Sequence, residues 1–207
     1  MAIYVTSDAH GHVRALDEAL SKISLASDDT LYVLGDMIDR GPDPVGVIKL
    51  VRSLPNARVL KGNHEQIMLD AIIGQDPLDA ETWDINGGWT TRQQLNDMEF
   101  EAYEELVRWM ATLPLYAVAE TDERPYLLVH AGIQTEAARA FLLEHGVDCA
   151  DGAGAVNADR ELLKQMLAVQ SSDDLLWIRH GYWDAPTGLL SAEGKGPVVV
   201  SGHTPTV

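Results

Sequence analysis

Gly35-Asp36-Met37-Ile38-Asp39-Arg40-Gly41 follows directly on the apolar run Leu31-Tyr32-Val33-Leu34, and this junction decides how the rest of the chain is read. Four apolar residues bounded by glycine have the length and composition of a buried strand. The turn after it carries two carboxylates and a guanidinium, more chemistry than a connection needs. Working outward, the same arrangement recurs on both sides. Upstream, Ile3-Tyr4-Val5 runs into Asp8-Ala9-His10-Gly11, and downstream residues 57–60 run into Gly62-Asn63-His64-Glu65. Amphipathic stretches at 13–23, 44–54 and 65–73 separate them, so the first third reads βαβαβα. Strands joined by helical crossovers are parallel, and in open α/β sheets ligands gather beyond the strands' carboxyl ends. Asp8, His10, Asp36, Asn63 and His64 are therefore expected at one sheet edge.

From about residue 75 to 112 the pattern changes to helical turns containing Trp83, Trp89 and Trp109, interrupted by Asn86-Gly87-Gly88. It is expected to be a small helical insertion walling one side of the site, with ordinary core packing as the competing role for the tryptophans. Strand signals return at 115–119 and 126–129, helical patterns near 135–144 and 159–169, and a last strand at 198–201. Two further polar fragments follow strands here, His130-Ala131-Gly132 and Gly202-His203-Thr204.

With 207 residues and 46% apolar content, one domain spanning 1–207 is the default. The net charge of -17, from 15 basic against 32 acidic residues, excludes nucleic acid as the expected partner. It does not exclude a small anionic substrate, because two divalent cations would restore positive charge locally. Cys149 is alone, so no intrachain disulfide forms, and the acidic neighbours Asp148 and Asp151 mark it as an idle thiol. The first residues lack a basic region and an apolar stretch, and nowhere do about 18 apolar residues run together, so no membrane association and a cytoplasmic location are expected. A monomer is the default.

Carboxylates, imidazoles and one amide oxygen at strand ends are the donors a pair of divalent metals uses, and paired metals serve to cleave phosphate esters. In this order the fragments, GDMIDRG and GNHE above all, resemble the phosphoprotein phosphatase branch of the calcineurin-like metallophosphoesterases, in the compact form of the bacterial and bacteriophage Ser/Thr phosphatases. The resemblance covers nearly the whole chain. It implies an α/β fold in which a β-sandwich of two mixed sheets is flanked by helices. It further implies that Asp8 and His10 hold one metal, that Asp36 bridges two, and that Asn63, His130 and His203 complete the second. Manganese is the first expectation for both ions, with iron and zinc suited to the same donors. A hydroxide shared by the metals is the implied nucleophile. His64, paired with Asp39, is the implied acid, and Arg40 and Arg179 the phosphate-gripping arginines, Arg179 standing in Leu175-Leu176-Trp177-Ile178-Arg179. For Arg179 a surface charge pair is the competing role. Glu65 is expected to orient a neighbouring loop, and His12, His145 and His180 match no ligand slot.

Some positions depart from the family pattern. Ser7 precedes Asp8 where glycine often stands, Pro205 replaces the second histidine that phosphodiesterases commonly carry, and the sequence stops at Val207 where the family adds a further strand. The expected activity is hydrolysis of phosphoserine and phosphothreonine, with phosphotyrosine within scope, in a protein or peptide partner. The alternative is a symmetrical dinucleoside tetraphosphate hydrolase, a relative that usually lacks the acid of DRG and reads GNHD. Asp39 and Glu65 tilt the choice to the phosphatase. A small-molecule phosphatase of the same branch is a further alternative. A non-catalytic metal-binding module is the least supported, since every expected position is filled.

Overall fold

The three apolar runs of the first third form a parallel sheet in the order β1 (Ile3–Thr6), β2 (Thr30–Val33), β3 (Ala57–Val59), as the crossover pattern requires. This computed structural model describes residues 1–74, 76–149, 152–180, 182 and 186–204. It divides into two compact units, Met1–Pro114 and Leu115–Val207, each with its own sheet and apolar core.

In the first unit, α1 (Val13–Ile23), α2 (Pro44–Ser53) and α3 (Asn63–Ile73) follow the three strands. Helix α2 starts where it does because the Asp43 side chain accepts from the Gly46 N–H at 2.9 Å and Pro44 fills the first turn, where a missing N–H costs nothing. Its inner face of Val47, Ile48 and Val51 packs on β2 through Leu31 and Val33. Helix α3 begins two residues before the expected 65, so Asn63 and His64 lie in its first turn rather than in a loop. The cause is Glu65, whose carboxylate reaches back to the Gly62 N–H at 2.8 Å and closes the helix start.

The stretch expected to be a helical insertion folds as α4 (Pro77–Ile85), α5 (Trp89–Asn96) and α6 (Phe100–Ala111); Gln75, at its expected boundary, lies outside the described residues. The three tryptophans divide. Trp83 is buried in the same core as Leu31, Ile48 and Met68, Trp109 packs on that core partly buried, and Trp89 is 62% exposed.

The second unit is built on the hairpin β4 (Tyr116–Glu120) and β5 (Pro125–Val129), antiparallel, with β6 (Val198–Val200) parallel to β5. Helices α7 (Thr135–Glu144) and α8 (Arg160–Ala168) match the sequence expectation, and their residues Leu142, Leu163 and Met166 meet Leu127 and Val129 in the core. The short α9 (Ser172–Trp177) was not anticipated; Ser171 caps it, its hydroxyl accepting from the Asp174 N–H at 3.0 Å. Cys149 is buried and free, and burial pushes its thiol pKa up, which agrees with an idle role; its neighbour Asp151 lies outside the described residues, as do Pro205 and Val207. No helix among the described residues is long and apolar enough to cross a membrane.

Candidate active site

Three turns at the carboxyl edge of the parallel sheet are stitched together by their backbones. Asp8 donates its N–H to the Gly35 carbonyl at 3.2 Å, His10 to that of Asp36 at 2.9 Å, and Gly11 to that of Met37 at 2.9 Å. The third turn joins through glycine: a Cβ on Gly35, whose φ is +91°, would overlap the backbone of Gly62. Glu65 then locks the assembly. Its Oε2 accepts from the N–H groups of Asp36 and Gly62 and its Oε1 from that of Met37, each at 2.8 Å, and it is 0% exposed. Burial raises its pKa, against the pull of these three donors. Glu65 thus orients the neighbouring turn at 35–41 as well as closing the start of α3.

The backbone at these turns is held in an uncommon conformation. Of the seven described non-glycine residues with positive φ, five are Asp8, His10, Asp36, Asp39 and Arg40 in the first two of these turns, and a sixth is His203 in the second unit. Each costs on the order of 1–3 kcal/mol and persists only where the surroundings over-determine it. Met37 and Ile38 supply part of the offset, since both are fully buried and such side chains contribute about 1.5–3 kcal/mol each.

The nitrogens of His10 and His64 and a carboxylate oxygen of Asp36 lie within 4.8 Å of one another. His10 Nε2 is 3.5 Å and His64 Nε2 4.0 Å from Asp36 Oδ2. Arg40 donates from Nη1 to His10 Nε2 at 3.0 Å and from Nη2 to His64 Nε2 at 2.8 Å. A guanidinium only donates, so both Nε2 atoms accept here and both rings carry their proton on Nδ1. His10 Nδ1–H then meets the Ile38 carbonyl at 2.9 Å, and His64 Nδ1–H meets Asp39 Oδ2 at 2.7 Å. His10 thus has the tautomer of a metal ligand, with Nε2 aimed at the carboxylate.

Electrostatics support the same use. Burial lowers the pKa of His10, which keeps the ring neutral, the form that binds metal. Burial, then the charges of Glu65 and Asp8, raise the pKa of Asp36 well above the carboxylate range, while the His64 N–H and Arg40 oppose. A carboxylate held at such cost, beside neutral imidazoles and a second acid, is chemically fitted to a divalent cation. Asn63 is buried at the first residue of α3, one position before His64.

In the second unit, His130 follows β5 and His203 lies in the turn after β6, both buried. His130 Nε2 is 3.2 Å from His203 Nδ1, and the Gly202 N–H bonds the His130 carbonyl at 2.8 Å. The two expected ligands that are 73 positions apart are therefore adjacent. Arg179 is exposed, and its Nη1 donates to the Thr204 hydroxyl at 3.3 Å, next to His203. His12 and His180 are exposed, and His145 closes α7 through a 2.8 Å bond from Nδ1 to the Phe141 carbonyl.

Sequence reasoning missed two partners of the site. Trp83 Nε1 and the Thr91 hydroxyl both donate to Asp39, at 3.0 and 2.6 Å to Oδ1. Trp83 reads only as part of a wall over the site or of the core, and Thr91 as an ordinary helical threonine, so no motif announces their bonds to Asp39.

The profile described as calcineurin-like phosphoesterase matches residues 1–207. The chain is 32% identical to the symmetrical bis(5'-nucleosyl)-tetraphosphatase of Erwinia tasmaniensis over 136 residues, 64% of this chain and 45% of that protein. It is 30% identical to the protein of the same name from Salmonella paratyphi C over 158 residues, 75% of this chain and 50% of that one. The chain thus spans about half the length of these curated relatives. Among solved structures, a metallophosphoesterase from Sphaerobacter thermophilus is 27% identical, with a TM-score of 0.44 over 63% of this chain and 46% of that one.

Proposed function

Because this chain belongs to the calcineurin-like phosphoesterase family, we propose that it is a metal-dependent hydrolase whose substrate is a dinucleoside polyphosphate, cleaved symmetrically. The observation that carries the substrate is the 30–32% identity to symmetrical bis(5'-nucleosyl)-tetraphosphatases. Asp39 and Glu65, which tilted the sequence reading to a protein phosphatase, do not oppose it. Both are 0% exposed and bond to the protein's own groups, so they position other residues and do not select a substrate.

The family pattern assigns Asp8, His10 and Asp36 to a first ion and Asn63, His130 and His203 to a second, with manganese the first candidate; the nearness of His10 to Asp36 supports the first set. A bound pair of this kind supplies a water of lowered pKa and positive charge for the phosphate oxygens. The chain's own groups do the rest. Arg40, now on His10 and His64, transfers its guanidinium to the incoming phosphate, where a planar fork fits best. That frees His64 Nε2 to take a proton and give it to the leaving oxygen, while Asp39 holds the ring by Nδ1. Water adds to phosphorus, the P–O bond to the departing diphosphate breaks, and two nucleoside diphosphates result.

A second reading, hydrolysis of phosphomonoesters of protein serine or threonine, is favoured by the Asp39–His64 pair itself. An alkoxide is a far more basic leaving group than a phosphate and depends more on a proton donor. Turnover of diadenosine tetraphosphate against a phosphoserine peptide, with manganese added, tests the choice. Release of ADP from the dinucleotide at the higher kcat/KM is expected. Faster peptide dephosphorylation with no ADP would reverse the assignment.

A further inference from the structure

Asp39 has more partners than a carboxylate needs to orient one imidazole. The geometry points to Trp83 and Thr91 as positioning residues for proton delivery: α4 and α5 fix the plane of the Asp39 carboxylate and, through it, the ring of His64. Asp39 Oδ2 accepts from His64 Nδ1 at 2.7 Å and from Trp83 Nε1 at 3.2 Å. Its Oδ1 accepts from Trp83 Nε1 at 3.0 Å and from the Thr91 hydroxyl at 2.6 Å. The same hydroxyl oxygen accepts from the Asp39 N–H at 2.9 Å, so Thr91 grips both the side chain and the backbone of a residue at φ +68°. Rotation of a carboxylate about its last bond is soft, and an imidazole alone would leave it free to swing. Donors from two further elements remove that freedom.

The clamp is itself held. Arg92 lies over the Trp83 ring, 4.9 Å from its centroid, and is tied to Asp84 at 3.0 Å. A Cβ on Gly88 would overlap the Trp83 ring, so only glycine lets the turn before α5 close on the indole. The preceding Gly87, at φ +94°, receives the Arg40 N–H on its carbonyl at 3.0 Å. Asn86-Gly87-Gly88 therefore touches the phosphate arginine with one glycine and the Asp39 clamp with the next. Burial obliges the Trp83 N–H to find an acceptor, and the acceptor it meets is the carboxylate that holds His64.

The inference rests on His64 donating the proton. The test compares Thr91→Val, Thr91→Ser and Trp83→Phe with His64→Asn in the manganese-loaded protein. Substrates are p-nitrophenyl phosphate, phenyl phosphate and an alkyl phosphate, in order of increasingly basic leaving oxygen, with bound manganese measured by mass spectrometry. A positioned acid is worth about 10²–10⁴-fold, so His64→Asn should lose about 100-fold or more on the alkyl ester and much less on the nitrophenyl ester. Thr91→Val and Trp83→Phe are expected to show the same slope more weakly, about 10-fold against under about threefold, in kcat and not KM, with metal content unchanged. Thr91→Ser, which keeps the hydroxyl, recovers most of the rate. A loss equal across leaving groups, no loss at all, or a serine variant as poor as valine would overturn the inference. Should Trp83→Phe fail to fold, the valine–serine pair decides alone. If His64→Asn is itself insensitive to the leaving group, the donor role fails and the clamp with it; if only the clamp variants are insensitive, the donor role stands.

Discussion

The turn at 35–41 and the helices at 77–96 serve the same pair, Asp39 and His64, by opposite means. The turn places chemistry through backbone conformation: Asp36, Asp39 and Arg40 sit at positive φ, and Gly35 permits the close approach to Gly62. The helices use ordinary helical backbone and act through side chains that arrive by packing, Trp83 from the core and Thr91 from the first turn of α5. Strain leaves a signature of glycines and acids in sequence, whereas packing contributes residues of common type. A site can thus be half visible and half hidden although both halves hold the same atoms.

The comparison breaks first at Asp36. Asp36→Asn removes a metal-binding charge and should lower activity by about 10³-fold or more, with loss of bound manganese. The metal-free variant should be at least as stable as the parent, because burial and Glu65 make the native carboxylate costly. A large drop in the melting temperature of the metal-free protein would show that Asp36 is instead a structural acceptor for the His64 N–H. Next comes Glu65→Gln, which points an amide NH2 at backbone donors that all need an acceptor. A loss of about 2–3 kcal/mol in denaturant unfolding is expected. Glu65→Asp, which reproduces GNHD, should cost less and leave the order of substrates unchanged; a switch of preference would return Glu65 to a role in specificity.

The acid–base state of the site sharpens the contrast. Since the pKa of Asp36 is raised in the folded protein, the carboxyl retains a proton below that raised value, and a divalent ion must displace it. Manganese affinity should therefore rise with pH, by up to about tenfold per unit while one proton is released. His10, whose pKa is lowered, is already neutral and adds little to this slope. Calorimetric titrations in two buffers of different ionisation heat count the protons, and an affinity flat in pH would refute the protonated carboxyl. The smallest effect belongs to Arg179, exposed and bonded only weakly to Thr204. Arg179→Ala should raise KM about 3–10-fold with stability changed by no more than about 0.5 kcal/mol. An unchanged KM would reduce it to a surface residue.

Much of this was legible beforehand for identifiable reasons. The βαβαβα start followed from runs of apolar residues at period two or three to four, and the observed strands and helices lie within a few residues of those runs. Helix α3 began early because Glu65 acts backward on Gly62, a capping effect that outweighs hydrophobic period at a helix end. Helix α9 escaped notice because six residues are too few to show a period. Glu65 is expected from the sequence to orient a neighbouring loop, and two of its three bonds run to Asp36 and Met37, 29 and 28 positions away, a distance no local pattern could give.

By itself the sequence determined the alternation of strand, turn and helix, and the donor types placed at each strand end, because both are written in local pattern and side-chain chemistry. Only the tertiary structure decided that Trp83 and Thr91, 44 and 52 positions from Asp39, meet its carboxylate. Only it decided that Arg40 spans His10 and His64. Hydrogen bonds between distant segments depend on how whole helices pack, and packing selects residues by size and direction without imposing a period that a sequence could display.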